Sequence, residues 1–193
     1  MKYGVLLGRF QPFHKAHLYM IENILKECDY CVCVIGSSNK KGTLRNPFDI
    51  KTRTKMVKLA TKHLSDRIIY IELPDMYGES NQFHLYEWGS YLYYNIISKI
   101  EQRDIVYYYA DDPKYLKSWF NDDITPHISY RFLERCNIYD GLSATKMREA
   151  FVNKDLNYIN KYLPKEIVDN MLEELIDIYL DVLNNPKEDF QMK

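Results

Sequence analysis

The sequence predicts an α/β protein built on an open parallel sheet with helices on its faces. Short apolar runs alternate with longer helical patterns along the chain, which is the order that parallel βαβ units with right-handed crossovers produce. A length of 193 residues suits one domain with a sizeable core. No internal repeat or low-complexity linker divides the chain.

The elements follow in order. Tyr3-Gly4-Val5-Leu6-Leu7 is a short apolar run and reads as a buried first strand, followed by a helix over His17–Glu27. A second strand, Tyr30–Ile35, ends at Gly36-Ser37-Ser38, and a helix is expected over Asp49–Leu64. Further strands are expected at Ile68–Leu73, Ile105–Ala110 and, more weakly patterned, His127–Phe132. Helices are expected at Phe83–Glu101 and Tyr115–Phe120. Asp140-Gly141 marks a turn, Ser143 is a natural N-cap, and Ala144–Asn153 reads as a helix. A C-terminal helix over Lys165–Leu183 precedes a polar tail, Asn184–Lys193, expected to fray. The expectation is one Rossmann-like domain over residues 1–193. Its core covers about 1–163, with a C-terminal helical segment and tail over 164–193.

Residues Gly8 to His17 read G-R-F-Q-P-F-H-K-A-H. They lie where the first strand hands over to a helix, the ligand-binding edge of an open α/β sheet. A helix start offers unpaired backbone N–H groups and the positive end of the dipole, which suits a phosphate. Gly8 permits close backbone approach, and Arg9 adds a planar fork of donors. His14 and His17 fall at the helix start itself. Two histidines at this spacing also occur as a capped surface pair, or in a metal site if a third ligand is near. The ten-residue context favours a nucleotide phosphate site. Leu142 to Arg148, L-S-A-T-K-M-R, sets up a second helix start, with Ser143, Thr145, Lys146 and Arg148 in its first turns. Residues three or four apart share a helix face, so Ser143 and Lys146 are expected to face one anion, with Arg148 on the flank.

Gly8–His17 resembles the signature of the nucleotidylyltransferase superfamily, whose core is H-x-G-H or T-x-G-H. Ala16 stands where that family usually has glycine and is expected to narrow the approach to the phosphates slightly. Ser143–Arg148 is similar to the family's second signature, S-x-T-x-[IVM]-R. Gly36-Ser37-Ser38, followed by Thr43-Leu44-Arg45-Asn46-Pro47-Phe48, resembles two groups within it. These are the archaeal-type nicotinamide mononucleotide (NMN) adenylyltransferases and the adenylyltransferase domain of bifunctional adenylyltransferase/Nudix enzymes. No Nudix signature is found, so if this is the full protein, the chain is expected to be the adenylyltransferase unit alone.

The resemblance implies transfer of the adenylyl group of ATP to NMN, giving NAD and pyrophosphate. It implies His14, His17 and Arg148 as catalytic residues. It implies ATP contacts from Gly8, Arg9, Phe10, His14, His17, Arg45, Ser143, Thr145 and Arg148. Mg²⁺ would be held mainly by phosphates and water, with no protein ligand named. The family's nicotinamide pocket, usually with a stacking tryptophan, corresponds to Leu73–Tyr94. Trp88 is the tryptophan of that segment, and Phe83, His84 and Tyr86 compete for the role. Asp111, and secondarily Asp112, end a strand at the same edge. An acid there would favour NMN over nicotinic acid mononucleotide. Two alternatives remain: a nucleotidylyltransferase for another phosphate such as phosphopantetheine, and a non-catalytic nucleotide-sensing regulator.

The remaining composition excludes other classes. Hydrophobic content is 46%, charged content 27% and net charge −1, an ordinary globular balance without a broad basic surface for nucleic acid. A local basic pocket from Arg9, Lys15, Arg45 and Arg148 is expected. No apolar run reaches the length of a membrane span, and the N-terminus is a strand rather than a signal peptide. Cytoplasmic location and a homo-oligomer are expected. Cys28, Cys31, Cys33 and Cys136 are read as reduced core thiols, with zinc as the alternative.

Overall fold

A computed structural model describes residues 1–76, 85–110, 118–134 and 138–188, with side chains in the second stretch described from Glu87 onward. Strands β1 (Tyr3–Gly8), β2 (Tyr30–Ile35), β3 (Ile68–Glu72), β4 (Ile105–Tyr109) and β5 (Ile128–Phe132) form one parallel sheet in the order β3-β2-β1-β4-β5. Helices α1 (Lys15–Glu27), α2 (Ile50–Ala60), α3 (Leu85–Ile100), α4 (Ala144–Val152), α5 (Leu156–Tyr162) and α6 (Lys165–Asn184) complete the fold. This is the Rossmann-like arrangement the alternation predicts. Chain order turns back between β1 and β4, so the carboxyl ends of those strands open a crevice.

Alternation along each strand splits the interior into two apolar layers. Leu6, Cys31, Cys33, Ile35, Val106 and Tyr108 face α1, α2, α4, α5 and α6. Val5, Val32, Val34 and Tyr107 face α3, Phe120 and Ile124. Because both faces are covered, β2 reads as an unbroken apolar run with no polar side. Cys28, Cys31 and Cys33 are buried free thiols, and burial pushes Cys33 up to about 12. Among the described residues, no three His, Cys, Asp or Glu side chains are grouped to hold a metal. Cys136 lies outside the described residues.

Several boundaries differ from expectation. Helix α1 starts at Lys15, two residues before His17, because His14 is already its N-cap. The second expected helix divides, with α2 ending at Ala60 and a 3₁₀ turn following over Lys62–Arg67. Helix α5 was not anticipated. It is a seven-residue helix capped by Asp155, whose carboxylate accepts from the Tyr158 N–H at 3.0 Å. Of the expected helix Tyr115–Phe120, residues 115–117 lie outside the described residues, and residues 118–120 are not α-helical. The tail does not fray directly after α6, because the Lys187 N–H donates to the Gly42 carbonyl at 2.8 Å. No helix among the described residues is long and apolar enough to cross a membrane.

Candidate active site

A cavity of about 460 Å³ lies at the carboxyl ends of β1 and β4. Gly8, Arg9, Phe10, His14, His17, Arg45, Ser143, Thr145 and Arg148 all line it, so both sequence motifs and the Arg45 loop converge there.

The first wall is the start of α1. The His14 N–H donates to Nδ1 of His17 at 3.2 Å, and the two imidazoles stack at 3.7 Å. His14 is fully buried, while the His17 ring packs edge-on against Phe10 at 4.9 Å and beside Phe13 at 5.4 Å. With Nδ1 accepting, the neutral His17 ring carries its proton on Nε2. That makes the ring a hydrogen-bond donor for an anion. The His17 N–H is taken up by the His14 carbonyl at 2.8 Å, and the N–H groups of Lys15 and Ala16 lie at the positive end of the helix dipole. The space beside Gly8 is taken by its own loop, since a Cβ there would stand 2.4 Å from the Phe10 ring. Gly8 therefore admits Phe10, and Phe10 in turn supports His17. Ala16 is fully buried in the core and is not among the residues that line the cavity.

The opposite wall is the start of α4. Ser143 Oγ accepts from the Lys146 N–H at 3.2 Å and caps the helix. Arg148 donates from Nη1 to the Gln11 carbonyl at 2.7 Å and from Nη2 to Thr145 Oγ1 at 3.3 Å. The guanidinium is thus held across the cavity onto the first motif's loop. Two expectations for the basic groups are corrected. Lys15 turns away and donates to the carbonyls of Asn160 and Lys161 at 3.2 and 2.8 Å, closing the last turn of α5. Lys146 reaches the Asp140 carbonyl at 3.3 Å and does not line the cavity. Among the described residues, the cavity-lining arginines are Arg9, Arg45 and Arg148.

Arg53 went unread in the sequence and organises the base of the site. It is fully buried on α2. Nη1 donates to the carbonyls of Arg9 at 2.9 Å and Gly36 at 2.7 Å, and Nη2 to that of Ser37 at 2.9 Å. One planar fork ties together the loops that follow β1 and β2. Burial lowers its pKa to about 10, which leaves it charged near neutral pH. The Gln11 side chain adds a paired bond to Phe48, donating to its carbonyl at 3.0 Å and accepting from its N–H at 2.9 Å. The Arg45 loop is thereby fixed to the first motif.

The aromatic wall departs from expectation as well. Trp88 packs at the edge of the second apolar layer, 5.8 Å from Tyr91, and is not among the cavity-lining residues. Trp119 lines the cavity instead, edge-on to Tyr107 at 6.5 Å. Gly89 of α3 allows this, because a Cβ there would stand 1.6 Å from the Trp119 carbonyl oxygen. Phe83, His84, Asp111 and Asp112 lie outside the described residues, as does the side chain of Tyr86.

A parallel α/β sheet with two helix starts and a cationic crevice at its switch point is the arrangement of a nucleotide-binding α/β protein. The cytidylyltransferase-like family model matches residues 5–150, and the chain belongs to that family. It is 29% identical over 154 residues to the nicotinamide/nicotinic acid mononucleotide adenylyltransferase of Acinetobacter baylyi, covering 77% of this chain and 74% of that protein. It is 38% identical over 73 residues to the nicotinamide-nucleotide adenylyltransferase of Halorubrum lacusprofundi, covering 38% of this chain and 42% of that protein. The fold matches that of a bifunctional NMN adenylyltransferase/ADP ribose pyrophosphatase from Francisella tularensis, solved with AMP and a manganese ion. There the TM-score is 0.73 and the identity 24%, with 95% of this chain and 52% of that chain covered. The match thus spans about half the length or less of the last two proteins.

Proposed function

We propose that this chain transfers the adenylyl group of ATP to nicotinamide mononucleotide, giving NAD and pyrophosphate. The observation that carries the reading is the convergence of the His14–His17 pair and Arg148 on one cavity from two helix starts. An NMN phosphate oxygen attacks the α-phosphorus of ATP, a new P–O bond forms, and the bond to the bridging oxygen of the β-phosphate breaks. The attacking oxygen is already ionised, so positioning and charge stabilisation supply most of the catalysis. His17 Nε2–H donates to the α-phosphate oxygen where charge develops. Arg148 and Arg45 hold the departing pyrophosphate, with Ser143 and Thr145 offering hydroxyls and Gly8, Arg9 and Phe10 shaping the floor. Formation of NAD from ATP and NMN tests the reading.

None of the described lining residues is a carboxylate, so none of them fits as a Mg²⁺ ligand. The ion would enter with the nucleotide, held by phosphate oxygens and water. The reading takes residues 1–193 as one nucleotidylyltransferase domain, supported by the packing of α6 against α2 and α4. It places the protein in the cytoplasm as a homo-oligomer, an assembly that light scattering measures.

Arg148→Lys keeps the charge and loses the fork. It cannot hold Gln11, Thr145 and a phosphate together. Loss of one charge-assisted hydrogen bond, about 1.5–3 kcal/mol, should lower kcat/KM by about 10- to 150-fold. Full activity of this variant in steady-state assays would remove the bidentate role.

The described cavity offers Trp119, rather than Trp88, as the face for a cationic nicotinamide ring. Such a contact is worth about 0.5–2 kcal/mol, so Trp119→Ala should raise KM for NMN about 2- to 30-fold while KM for ATP stays nearly constant. The same shift in Trp88→Ala, with none in Trp119→Ala, would return the role to α3 and its neighbours Phe83 and Tyr86. Running both mononucleotides in this series tests whether Asp111 disfavours the added carboxylate of nicotinic acid mononucleotide. Equal use by wild type removes that acidic-pocket argument.

A further inference from the structure

The C-terminal segment touches Arg148 directly and also touches the loop that carries Arg45. At one point the guanidinium of Arg148 lies over the Tyr179 ring of α6, 5.9 Å from its centroid, within range of a cation–π contact. At the other, the segment following α6 reaches the loop that carries Arg45. The Lys187 N–H donates to the Gly42 carbonyl at 2.8 Å. Gly42 has φ +72, and a Cβ on it would stand 3.0 Å from Lys187 Cδ, so the two segments touch directly.

The Arg45 loop is short and internally closed. The Gly42 N–H donates to the Pro47 carbonyl at 3.2 Å and the Thr43 N–H to the Asn46 carbonyl at 3.3 Å. The Asn46 N–H donates to Thr43 Oγ1 at 2.9 Å. On one side it hangs from Phe48, which Gln11 holds. On the other it is held at Gly42 by Lys187. Leu44 and Arg45, at its tip, are exposed. Helix α6 itself is fixed to the body, with Ile167, Met171, Leu175, Tyr179 and Val182 buried and Lys55 paired with Glu174 at 3.0 Å.

We infer that α6 and residues 185–188 form a brace that positions Arg148 and Arg45 for the nucleotide's terminal phosphates, with Tyr179 and Lys187 as positioning residues. The inference rests on the ATP role assigned to those arginines above. A rigid connection between the two makes their placement one event, so binding phosphate at Arg45 stabilises the Lys187–Gly42 contact. The coupling is reciprocal by linkage.

The test is hydrogen exchange and calorimetric binding of a non-hydrolysable ATP analogue to the full chain, in wild type, Lys187→Pro and Tyr179→Leu. In wild type the analogue should slow exchange at the Lys187 amide, which lies away from the cavity. Lys187→Pro removes that N–H without touching the core. It should speed exchange over residues 42–46 and weaken analogue binding by at least about fivefold, the lower end of ordinary coupling between two sites. Its thermal midpoint should stay near that of wild type. Tyr179→Leu should weaken the analogue comparably and, because one brace carries both contacts, should also speed exchange over residues 42–46; wild-type exchange there would overturn the coupling. Unchanged affinity and exchange in Lys187→Pro, or no protection of Lys187 by the analogue in wild type, would overturn the brace. Both readouts are independent of NAD formation, so a chain that binds ATP through the brace but uses another acceptor would refute the substrate assignment alone.

Discussion

His17→Ala should lower kcat by about 10²-fold or more, the cost of removing one preorganised donor from a developing charge. The ATP dissociation constant should change far less, because the interaction is made chiefly in the transition state. The structure gives this expectation its geometry. Nδ1 of His17 is occupied by the His14 N–H at 3.2 Å, and the ring is wedged between Phe10 and Phe13. The ring is therefore held before substrate arrives and loses little freedom on binding. His17→Asn is the informative partner variant, since its amide keeps a donor on a shorter stem. It should recover part of the loss if hydrogen-bond donation is the role. Near-wild-type turnover of His17→Ala in single-turnover measurements would place the chemistry elsewhere.

Arg53→Met should destabilise the fold by about 3 kcal/mol, read as a lowered urea midpoint at unchanged slope. Methionine fills much of the same space, so the expected loss comes from three carbonyls, those of Arg9, Gly36 and Ser37, left without their donor in a buried place. Each such orphan costs on the order of 1–3 kcal/mol, reduced where water reaches it. The same variant should weaken ATP binding, because two loops at the site lose their common anchor. Arg53→Lys keeps a charge but reaches fewer carbonyls, and should fall between Met and wild type. An unfolding free energy from urea within about 0.5 kcal/mol of wild type for Arg53→Met would show that the loops hold themselves.

Both helix starts were legible in the sequence because their signals are local. A strand, a glycine and paired histidines mark one, and Asp140-Gly141 with Ser143 marks the other. The sheet was legible for a similar reason, since strands covered on both faces read as plain apolar runs. What was missed depends on tertiary contacts. Arg53 sits in the polar stretch Lys51-Thr52-Arg53-Thr54-Lys55, which reads as solvated. Yet Arg53, Met56, Val57 and Ala60 share one buried face of α2, and that spacing was the available signal. Lys15 carried the right charge beside the right motif, but the last turn of α5 lies closer to it than the cavity does. Trp119 follows a stretch without clear periodicity, and its arrival at the cavity depends on how closely α3 approaches at Gly89. The docking of Lys187 on Gly42 joins positions 145 residues apart through one backbone bond, and no side-chain pattern announces it.

The most direct test of the central claim is product analysis with purified protein, ATP, Mg²⁺ and NMN. NAD and pyrophosphate should appear together in equal amounts, depend on both substrates, and fall away in His17→Ala. Pyrophosphate release with phosphopantetheine in place of NMN, or ATP binding with no NAD and no pyrophosphate formed, would contradict the assignment.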